Sequence, residues 1–518
     1  MVGMTPTDTS RADDSRYLAL QARDARFDGS FFTGVTSTGI YCRPVCRVRT
    51  PRRENCRFFD HAAQAESAGF RPCLRCRPEL APNRPRWSMQ DASAMLAQQA
   101  ARLLDEPEAW LAMAPSKTGP GMAALAARLG VSERHVRRIF EAQFGVSPLQ
   151  YLQTRRLLTA KQLLTDTGLP VAQIALCSGF ASVRRFNASF LQHYGLNPTR
   201  LRVEGSSHAN AGVAVKLGYR PPYDVDAMLG FYGKRSLDAV ELMVNGAGMP
   251  GFAKTLRIES GGKAHTGWLL AEFDGAHSQL LLRVSDGLRE VLPLLIRRVR
   301  AAFDLDADPL AINQVLRRSF PQGDGLRVPG ALDGYELAVR AVLGQQITVA
   351  AARTLAQRLV NTYGESLPTP WPELTRLFPT AAVLAQASPN DLGALGIVRQ
   401  RQGAIVALAR AVADKRLQLH GGADVHATIA ALKELPGIGD WTAQYIAMRA
   451  LRWPDAFPAG DVALHKALGV QASKNPARQA EAASQMWRPW RSYAVIRAWA
   501  SLPGTVKKKS PPRALRNQ

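Results

Sequence analysis

Four of the six cysteines are spaced as metal ligands. Cys42 and Cys46 form one close pair, Cys73 and Cys76 form a second, and the 26 residues 47–72 separate the two pairs. Two close pairs joined by a loop can place four thiolates around one tetrahedral ion, as structural Zn²⁺ requires. The alternative is four ordinary buried cysteines, which need not follow this spacing. The pattern therefore predicts a Zn(Cys)4 centre with Zn²⁺ as the cofactor.

A second set of residues that could carry chemistry lies near the C-terminus. The run Leu435-Pro436-Gly437-Ile438-Gly439 separates two predicted helices, at about 426–433 and 440–451. Glycines in such a hairpin let backbone N–H groups approach a phosphate closely. Asp461 follows 22 residues after Gly439. Taken singly, the run is a tight turn and Asp461 is a helix N-cap; their combination favours a DNA-binding hairpin near a functional carboxylate.

Helix-turn-helix spacing occurs twice in the first half of the chain, with turns at Gly130 and Gly179. The sequence around residues 140–148 is echoed 50 residues later, around 190–198, which indicates two similar helical units in tandem. A structural helical spacer is the alternative. The helix after each turn carries basic side chains of the kind that reach base edges and phosphates. The predicted DNA contacts are Arg134, Arg137, Arg184 and Arg185.

Arginines also surround the cysteines, with six of them between Cys42 and Arg57. We expect Arg43 and Arg47 to contact DNA phosphates. The usual alternative is that such arginines form a charged surface that contacts only solvent. This alternative is less favoured here because a Zn(Cys)4 centre is dianionic and needs cations nearby to approach DNA.

The overall charge agrees with a polyanionic partner. The 518 residues include 66 Lys and Arg against 42 Asp and Glu, a formal charge of +24. Nucleic acid and an anionic membrane are the two candidates. No apolar run is long enough to cross a bilayer, and the polar N-terminus is no signal peptide. We therefore expect a cytoplasmic protein that binds nucleic acid and no membrane.

Hydrophobic patterns divide the chain into the elements that must position these residues. The predicted fold class is multidomain and mainly α, with a small Zn(Cys)4 α/β domain, a double helix-turn-helix, a small α/β domain and an all-α domain. A Ser- and Gly-rich linker at 205–212 predicts that the two halves act independently. The predicted parts are a disordered N-terminus at 1–15, the zinc domain at 16–85, the helix-turn-helix domain at 86–204, the small α/β domain at 213–325, the all-α domain at 326–503 and a basic tail at 504–518.

The front half resembles two known families. Residues 27–80 resemble the N-terminal domain of the Ada family, through the runs Thr38–Cys46 and Ala68–Cys76. The resemblance implies that the Cys42 thiolate accepts a methyl group, stoichiometrically, from a DNA methylphosphotriester. Methylation would remove a negative charge and strengthen DNA binding. The helical segment resembles the AraC-type DNA-binding domain, which implies transcriptional activation at promoter DNA, with RNA polymerase as a candidate partner.

The back half, residues 213–502, resembles the AlkA family of 3-methyladenine DNA glycosylases within the helix-hairpin-helix superfamily. Its matches are Pro221–Asp224, Met228–Phe231, Val339–Gln345, Trp441–Tyr445 and Trp490–Ala494. The resemblance implies removal of alkylated purines from double-stranded DNA by base flipping. It also implies Asp461 as the catalytic carboxylate and a base pocket of Trp441, Tyr445 and Trp499. Together, the family resemblances of the two halves imply a bacterial, nucleoid-associated protein that binds DNA.

Three departures from relatives bear on the activity. Trp441 stands where relatives with lyase activity carry a lysine, so we expect a monofunctional glycosylase. Gln346 replaces a leucine that inserts into DNA, and Gly460 replaces an acidic neighbour of the catalytic Asp. The leading hypothesis is an enzyme fused to a damage-responsive activator. The alternatives are a front half that only targets DNA, and a regulator whose glycosylase half only binds DNA.

Overall fold

The computed structural model describes residues 6–83, 92–105, 121–201, 213–246 and 249–502. The basic tail predicted at 504–518 lies outside these residues. The first unit contains a four-stranded sheet and one short α-helix. Its elements are β1 (Phe32–Val35), β2 (Ile40–Cys42), β3 (Cys56–Phe59), helix α2 (Ala62–Ser67) and β4 (Arg71–Pro72). The order of the strands in the sheet is β3-β1-β2-β4.

The pairing within this sheet joins distant parts of the sequence. Strand β1 pairs antiparallel with β2 and β3, whereas β2 pairs parallel with β4. The parallel pair brings the end of β2, at Cys42, beside the end of β4, which Cys73 follows directly. The Cys73 N–H donates to the Tyr41 carbonyl at 3.0 Å, which fixes this register.

The expectation of a disordered N-terminus at residues 1–15 is wrong for residues 6–15. They belong to helix α1 (Pro6–Gln21). The C-terminal part of this helix is docked: Arg16 pairs with Asp60 at 2.6 Å, the Tyr17 hydroxyl donates to the Pro51 carbonyl at 3.0 Å, and Leu20 is buried. A helix with so polar a composition is stabilised by tertiary contacts that its own sequence does not reveal.

The helical segment contains two similar units. Helices α4 (Met122–Leu129) and α5 (Glu133–Phe144) form one, helices α7 (Val171–Cys177) and α8 (Val183–Tyr194) form the other, and α6 (Pro148–Asp166) joins them. Helix α3 (Ala92–Leu104) packs on the first unit. Gly130 and Gly179 adopt positive φ angles of 67° and 81°, which a turn of this kind requires. Ser132 and Ser182 cap α5 and α8.

A five-stranded antiparallel sheet follows, in the order β5-β9-β8-β7-β6. Two helices accompany it, α9 (Val225–Gly233) and α10 (Leu292–Ala302). The strands are β5 (Val213–Gly218), β6 (Glu241–Gly246), β7 (Met249–Ser260), β8 (Lys263–Asp274) and β9 (Gln279–Val284).

The remainder is helical. Two helices, α17 (Val425–Lys433) and α18 (Asp440–Arg449), flank the Leu435–Gly439 hairpin. The N-cap residue of α19 (Val462–Ala467) and a tryptophan of α21 (Arg491–Ala500) contact the first part of α18. The other helices are α11 (Pro309–Leu316), α12 (Gly334–Leu343), α13 (Val349–Tyr363), α14 (Ala381–Ala385), α15 (Pro389–Ala394), α16 (Arg399–Ala413) and α20 (Pro476–Ser484).

The two halves are packed together across the linker whose composition predicts independent action. One hydrophobic core contains Leu163 of α6 and Phe190 of the second helix-turn-helix unit together with Leu217 and Phe273 of the five-stranded sheet. The Gln162 side chain also donates to the Lys216 carbonyl at 2.8 Å. Burial of apolar surface on both sides of the linker outweighs the freedom that its composition allows. In the described residues, no helix is long and apolar enough to cross a membrane.

Candidate metal centre and active site

The four predicted cysteine ligands meet at one point. Their Sγ atoms all lie within 4.8 Å of one another, and three of the four residues are buried. Four sulfurs about 2.3 Å from a tetrahedral zinc ion would be about 3.8 Å apart, so the cluster fits Zn²⁺ with a small contraction. The Arg43 N–H donates to Cys76 Sγ at 3.4 Å, a bond that favours a thiolate. Cys56 lies apart, with its Sγ donating to the Arg52 carbonyl at 3.3 Å.

The structure does not leave Arg43 free for a phosphate. Its side chain is 8% exposed and forms a buried ion pair with Asp28, and it also donates to the Cys76 carbonyl at 3.0 Å. The predicted DNA contact is therefore wrong for Arg43, because a carboxylate 15 residues earlier in the chain pairs with it. Its role is to brace the cysteine cluster from inside the domain. Arg47, in contrast, is exposed.

The four predicted arginines of the helix-turn-helix units are exposed near the N-terminal ends of two helices. Arg134 and Arg137 lie on α5, and Arg184 and Arg185 lie on α8. The buried faces of the same helices carry aromatic residues such as Phe140 and Phe190, which hold each helix in place. The basic faces are therefore available to a partner.

Asp461 is fixed by donors from three helices. The Trp441 and Trp499 indole N–H groups, on α18 and α21, donate to separate carboxylate oxygens of Asp461, each at 3.0 Å. The Leu464 N–H donates at 2.7 Å, because Asp461 is also the N-cap of α19. The His465 side chain braces the preceding loop through the Ala459 carbonyl at 2.6 Å. Both proposed roles of Asp461, cap and functional carboxylate, are thus sterically compatible.

The predicted pocket aromatics lie together beside this carboxylate. Trp441 and Tyr445 are stacked, with ring centroids 5.3 Å apart, and Tyr445 and Trp499 are 6.4 Å apart. Arg449 donates to the Tyr445 hydroxyl at 2.6 Å. Burial raises the pKa of Tyr445, but the charges of Arg449 and Arg235 outweigh it, and the resulting pKa is lowered. The sequence analysis missed both arginines, since nothing in their local pattern separates them from surface cations.

The hairpin presents its backbone rather than its side chains. Gly437 has a φ of +78°, and an added Cβ would lie 3.1 Å from the Ala404 side chain. Gln345, whose role was not predicted, donates to the Gly437 carbonyl and the Thr442 hydroxyl, both at 2.9 Å. Ile438 is 4% exposed and packs in the core, so only its backbone can meet DNA. Pro436 and Gly439 are exposed, and Leu435 is half-buried.

Gln346 lies in the turn between α12 and α13. It is exposed and has a φ of +54°, an unfavourable value for a residue with a side chain. The neighbouring Gln345 carbonyl accepts a hydrogen bond from Arg401, which holds the turn. The turn therefore displays the Gln346 side chain away from the core.

Four family models match the chain along its length. They are the metal binding domain of Ada over residues 15–79, a helix-turn-helix domain over 125–204, the AlkA N-terminal domain over 214–333, and the HhH-GPD superfamily of base excision DNA repair proteins over 339–492. Both the matching family model and the geometry of the four sulfur atoms thus indicate Zn²⁺ as the metal.

Similar proteins match either the whole chain or one of its halves. The chain is 37% identical to a probable bifunctional transcriptional activator/DNA repair enzyme AlkA of Mycobacterium tuberculosis, over 96% of this chain and 97% of that protein. It is 35% identical to DNA-3-methyladenine glycosylase 2 of Escherichia coli, over 55% of this chain and 95% of the relative. It is 32% identical to the bifunctional enzyme Ada of Escherichia coli, over 39% of this chain and 52% of the relative. The chain therefore belongs to the family of bifunctional transcriptional activators and DNA repair enzymes in which an Ada-type zinc and helix-turn-helix half is fused to an AlkA-type DNA glycosylase.

Proposed function

We propose that the C-terminal half is a monofunctional glycosylase that removes alkylated purines of the 3-methyladenine type, with Asp461 as its catalytic carboxylate. The observation that carries this proposal is the set of three N–H donors that orient the Asp461 carboxylate beside an aromatic pocket. A base inside the duplex is out of reach, so the nucleotide is flipped out at a cost of a few kcal/mol. The faces of Trp441, Tyr445 and Trp499 then suit a flat, positively charged base.

Bond cleavage follows from the charge on the lesion. The C1′–N bond breaks, its electron pair stays with the alkylated base, and the base leaves neutral. Asp461 stabilises the positive charge that develops on the sugar and orients the water that adds to C1′. The released proton goes to the carboxylate or to solvent. With Trp441 at the lysine position of lyases, no Schiff base forms, and the product is an intact abasic site.

The first test is base release from methylated duplex DNA. Wild type is expected to release 3-methyladenine or 7-methylguanine, and Asp461→Asn should lose that release while keeping its fold. Asp414→Asn is a matched control, because Asp414 is an exposed residue that pairs with Arg416 on the surface. No release by folded, zinc-loaded wild type would contradict the enzyme hypothesis and favour the regulator whose glycosylase half only binds DNA.

The hairpin and Gln346 are proposed to hold the flipped DNA. The backbone N–H groups of the hairpin glycines, among them the exposed Gly439, can bind a phosphate at the start of α18, where the helix dipole favours an anion. Gln346 is displayed by its turn and is proposed to fill the space that the flipped nucleotide leaves.

The zinc domain is proposed to accept a methyl group from a DNA methylphosphotriester at Cys42. A bound zinc ion keeps its thiolate ligands deprotonated at neutral pH. Cys76, Cys46 and Cys73 accept N–H bonds from the backbone of Arg43, Val48 and Cys76, respectively, and such bonds weaken a sulfur nucleophile. This distribution favours Cys42 as the acceptor.

Methyl transfer has a direct test. Wild-type protein incubated with methylphosphotriester DNA should gain one methyl group, and peptide mass spectrometry should place it on Cys42. A methyl group on another cysteine, or none, would contradict the assignment.

The helix-turn-helix units are proposed to bind promoter DNA and to activate transcription through RNA polymerase. The exposed arginines at 134, 137, 184 and 185 support a contact along two successive segments of groove. Methylated protein should bind its promoter more tightly than unmethylated protein and increase transcription by purified polymerase. Equal affinity of the two forms would favour a front half that only targets DNA.

A further inference from the structure

One side chain connects the turn between α12 and α13 to the hairpin. The Gln345 amide nitrogen donates to the Gly437 carbonyl and to the Thr442 hydroxyl, both at 2.9 Å. An amide NH2 group has two hydrogens, so Gln345 uses its whole donor capacity inside the protein. Gln345 is half-buried, and Thr442 is 2% exposed. The amide nitrogen is therefore fixed in place and is unavailable as a donor to DNA.

The two acceptors of this amide belong to different parts of the proposed active site. Gly437 lies in the middle of the hairpin, where its φ is +78°. Thr442 lies in the first turn of α18, directly after Trp441, whose indole N–H donates to Asp461 at 3.0 Å. One amide thus contacts both the backbone proposed to bind phosphate and the helix that orients the proposed catalytic carboxylate.

The main chain of Gln345 supports the turn that displays Gln346. The Gln345 N–H donates to the Val342 carbonyl at 3.3 Å, and the Gln345 carbonyl accepts from the Arg401 side chain. Gln346 follows directly and has a φ of +54°, a conformation that persists only where surrounding contacts hold it. The position of the Gln346 side chain is therefore set through its neighbour.

Helix α16 contacts both the hairpin and the turn, but in different ways. Its contact with the hairpin is a close approach, since a Cβ added at Gly437 would lie 3.1 Å from the Ala404 side chain. Its contact with the turn is the hydrogen bond from Arg401. In the part of the chain that the structure describes, the amide of Gln345 makes the only hydrogen bond that joins the turn directly to the hairpin.

We infer that Gln345 is a positioning residue that makes the hairpin and the Gln346 turn act as one unit, so that phosphate binding by the hairpin drives insertion of Gln346 into the duplex. This inference rests on the proposed glycosylase function and deepens it. Flipping a nucleotide costs free energy. Phosphate binding can offset that cost only if the hairpin and the turn keep a fixed spacing, because binding energy must be transmitted to the base pair. Without the amide, the hairpin still binds phosphate, but the turn no longer follows it.

A role for Gln345 in bond cleavage alone has a different consequence. If the amide served only to hold Thr442, and through it Trp441 and Asp461, its loss would slow cleavage itself. Release would then decrease equally from duplex and single-stranded DNA, because both forms need the carboxylate. Coupling of the hairpin to the turn matters for the duplex alone, because only there must a base leave a stack of paired neighbours.

The first experiment measures single-turnover release of 3-methyladenine by Gln345→Met, which has a side chain of similar length but no donor. Loss of two hydrogen bonds should slow release from methylated duplex DNA by about 10- to 100-fold and release from methylated single-stranded DNA by no more than about threefold. Gln386→Met is the matched control, because Gln386 is an exposed glutamine of the same domain at the end of α14. It should release the base from both DNA forms at the wild-type rate.

A double-mutant cycle tests the coupling itself. On duplex DNA, Gln346→Ala should slow release by about tenfold when Gln345 is present and by less than about threefold in Gln345→Met, because an uncoupled turn gains little from its inserted side chain. Two residues with independent roles would instead give effects that multiply. Gln345→Leu replaces Gln345→Met in both experiments if the latter melts below the wild type.

The possible outcomes separate this inference from the proposed function. The inference is overturned if the Gln345 variant, folded by circular dichroism at the assay temperature, loses release from both DNA forms equally, keeps the wild-type rate on duplex DNA, or combines multiplicatively with Gln346→Ala. A zinc-loaded, folded wild type that releases no base from either DNA form would refute the proposed function itself. Selective loss on duplex DNA together with a non-additive cycle would establish Gln345 as the connection between phosphate binding and insertion.

Discussion

The orientation of the Asp461 carboxylate depends on two indole N–H groups. Trp441 and Trp499 each use one N–H to hold one oxygen of Asp461. Both rings are also proposed walls of the base pocket, so the carboxylate and the pocket are positioned by the same side chains. A change in either ring should therefore move the reacting group as well as the wall.

The first residue-scale prediction isolates the N–H groups. Trp499→Phe retains an aromatic ring but removes the donor to Asp461. A hydrogen bond to a charged group contributes about 1.5–3 kcal/mol, so single-turnover release of 3-methyladenine should fall by about 10- to 100-fold. Trp371→Phe is the control, because Trp371 packs on Trp268, far along the chain from Asp461. Wild-type release by Trp499→Phe would show that the hydrogen bond is not needed.

Gln346 supports a second residue-scale prediction. Its side chain is displayed by a turn with positive φ, and its proposed role exists only when a base must leave a duplex. Gln346→Ala should therefore slow release from duplex DNA by about tenfold and leave release from single-stranded DNA nearly unchanged, since unstacking costs a few kcal/mol in the duplex alone. Parallel assays on both DNA forms check this. An equal decrease on both would assign Gln346 to the reacting site instead.

At the scale of elements, strand β2 and helix α6 meet through one buried acid. Glu66 accepts from the Tyr41 hydroxyl at 2.9 Å and from the Thr154 hydroxyl at 2.8 Å. Burial raises the pKa of Glu66 from 4.5 to about 7, despite these hydrogen bonds and the charge of Lys161. In the folded protein this carboxyl therefore holds its proton over a pH range in which the unfolded chain releases it.

The sign of the pH effect follows. The neutral form of Glu66 contributes its full stability below about pH 4.5, and the contribution is lost as the pH rises through about 7. Glu66→Gln has no charge to bury, so its melting temperature should decrease less than that of the wild type between pH 5 and pH 8. Thermal unfolding of both zinc-loaded proteins measures the difference. Parallel curves would show that Glu66 does not titrate in this range.

The sequence predicted the elements whose patterns are local. Short alternating or apolar runs at 213–219, 255–260, 267–273 and 279–285 predict the strands β5, β7, β8 and β9, and the helices around the hairpin were placed to within two residues. Strand β6 was missed because it begins with Glu241, whose burial is possible only through Lys254 and Arg340 on other elements.

Long-range pairing also explains what the sequence could not reveal at the site. The cysteine spacing was sufficient to predict the metal cluster, because each close pair is a local signal. The partner of Arg43, however, is Asp28, and the partner of Tyr445 includes Arg235, which lies 210 residues earlier. Charge alone does not distinguish an arginine that meets DNA from one that braces the interior.

At the scale of the whole molecule, Arg220 joins the two halves. It is fully buried, and its guanidinium donates to the Asp28 carbonyl of the zinc domain at 2.6 Å and to the Pro82 and Asn83 carbonyls at 2.9 Å. The same group donates to the Asp306 and Ala307 carbonyls of the second half, at 2.9 and 3.1 Å. Because Asp28 in turn pairs with Arg43 beside the cysteines, the metal centre and the glycosylase half are mechanically linked.

This link predicts that a substitution in the second half changes the rate at which the cysteine cluster releases zinc. Arg220→Met leaves five carbonyls without their donor and should lower the free energy of unfolding by roughly 3 kcal/mol or more. Release of zinc to a chelator should become faster, since Asp28 is no longer held in position to brace Arg43. Arg317→Met, which removes an exposed arginine paired with Asp324, should change neither quantity. If Arg220→Met is less stable but releases zinc at the wild-type rate, the two halves share a core without communicating, and damage sensing and base removal proceed separately within one folded body.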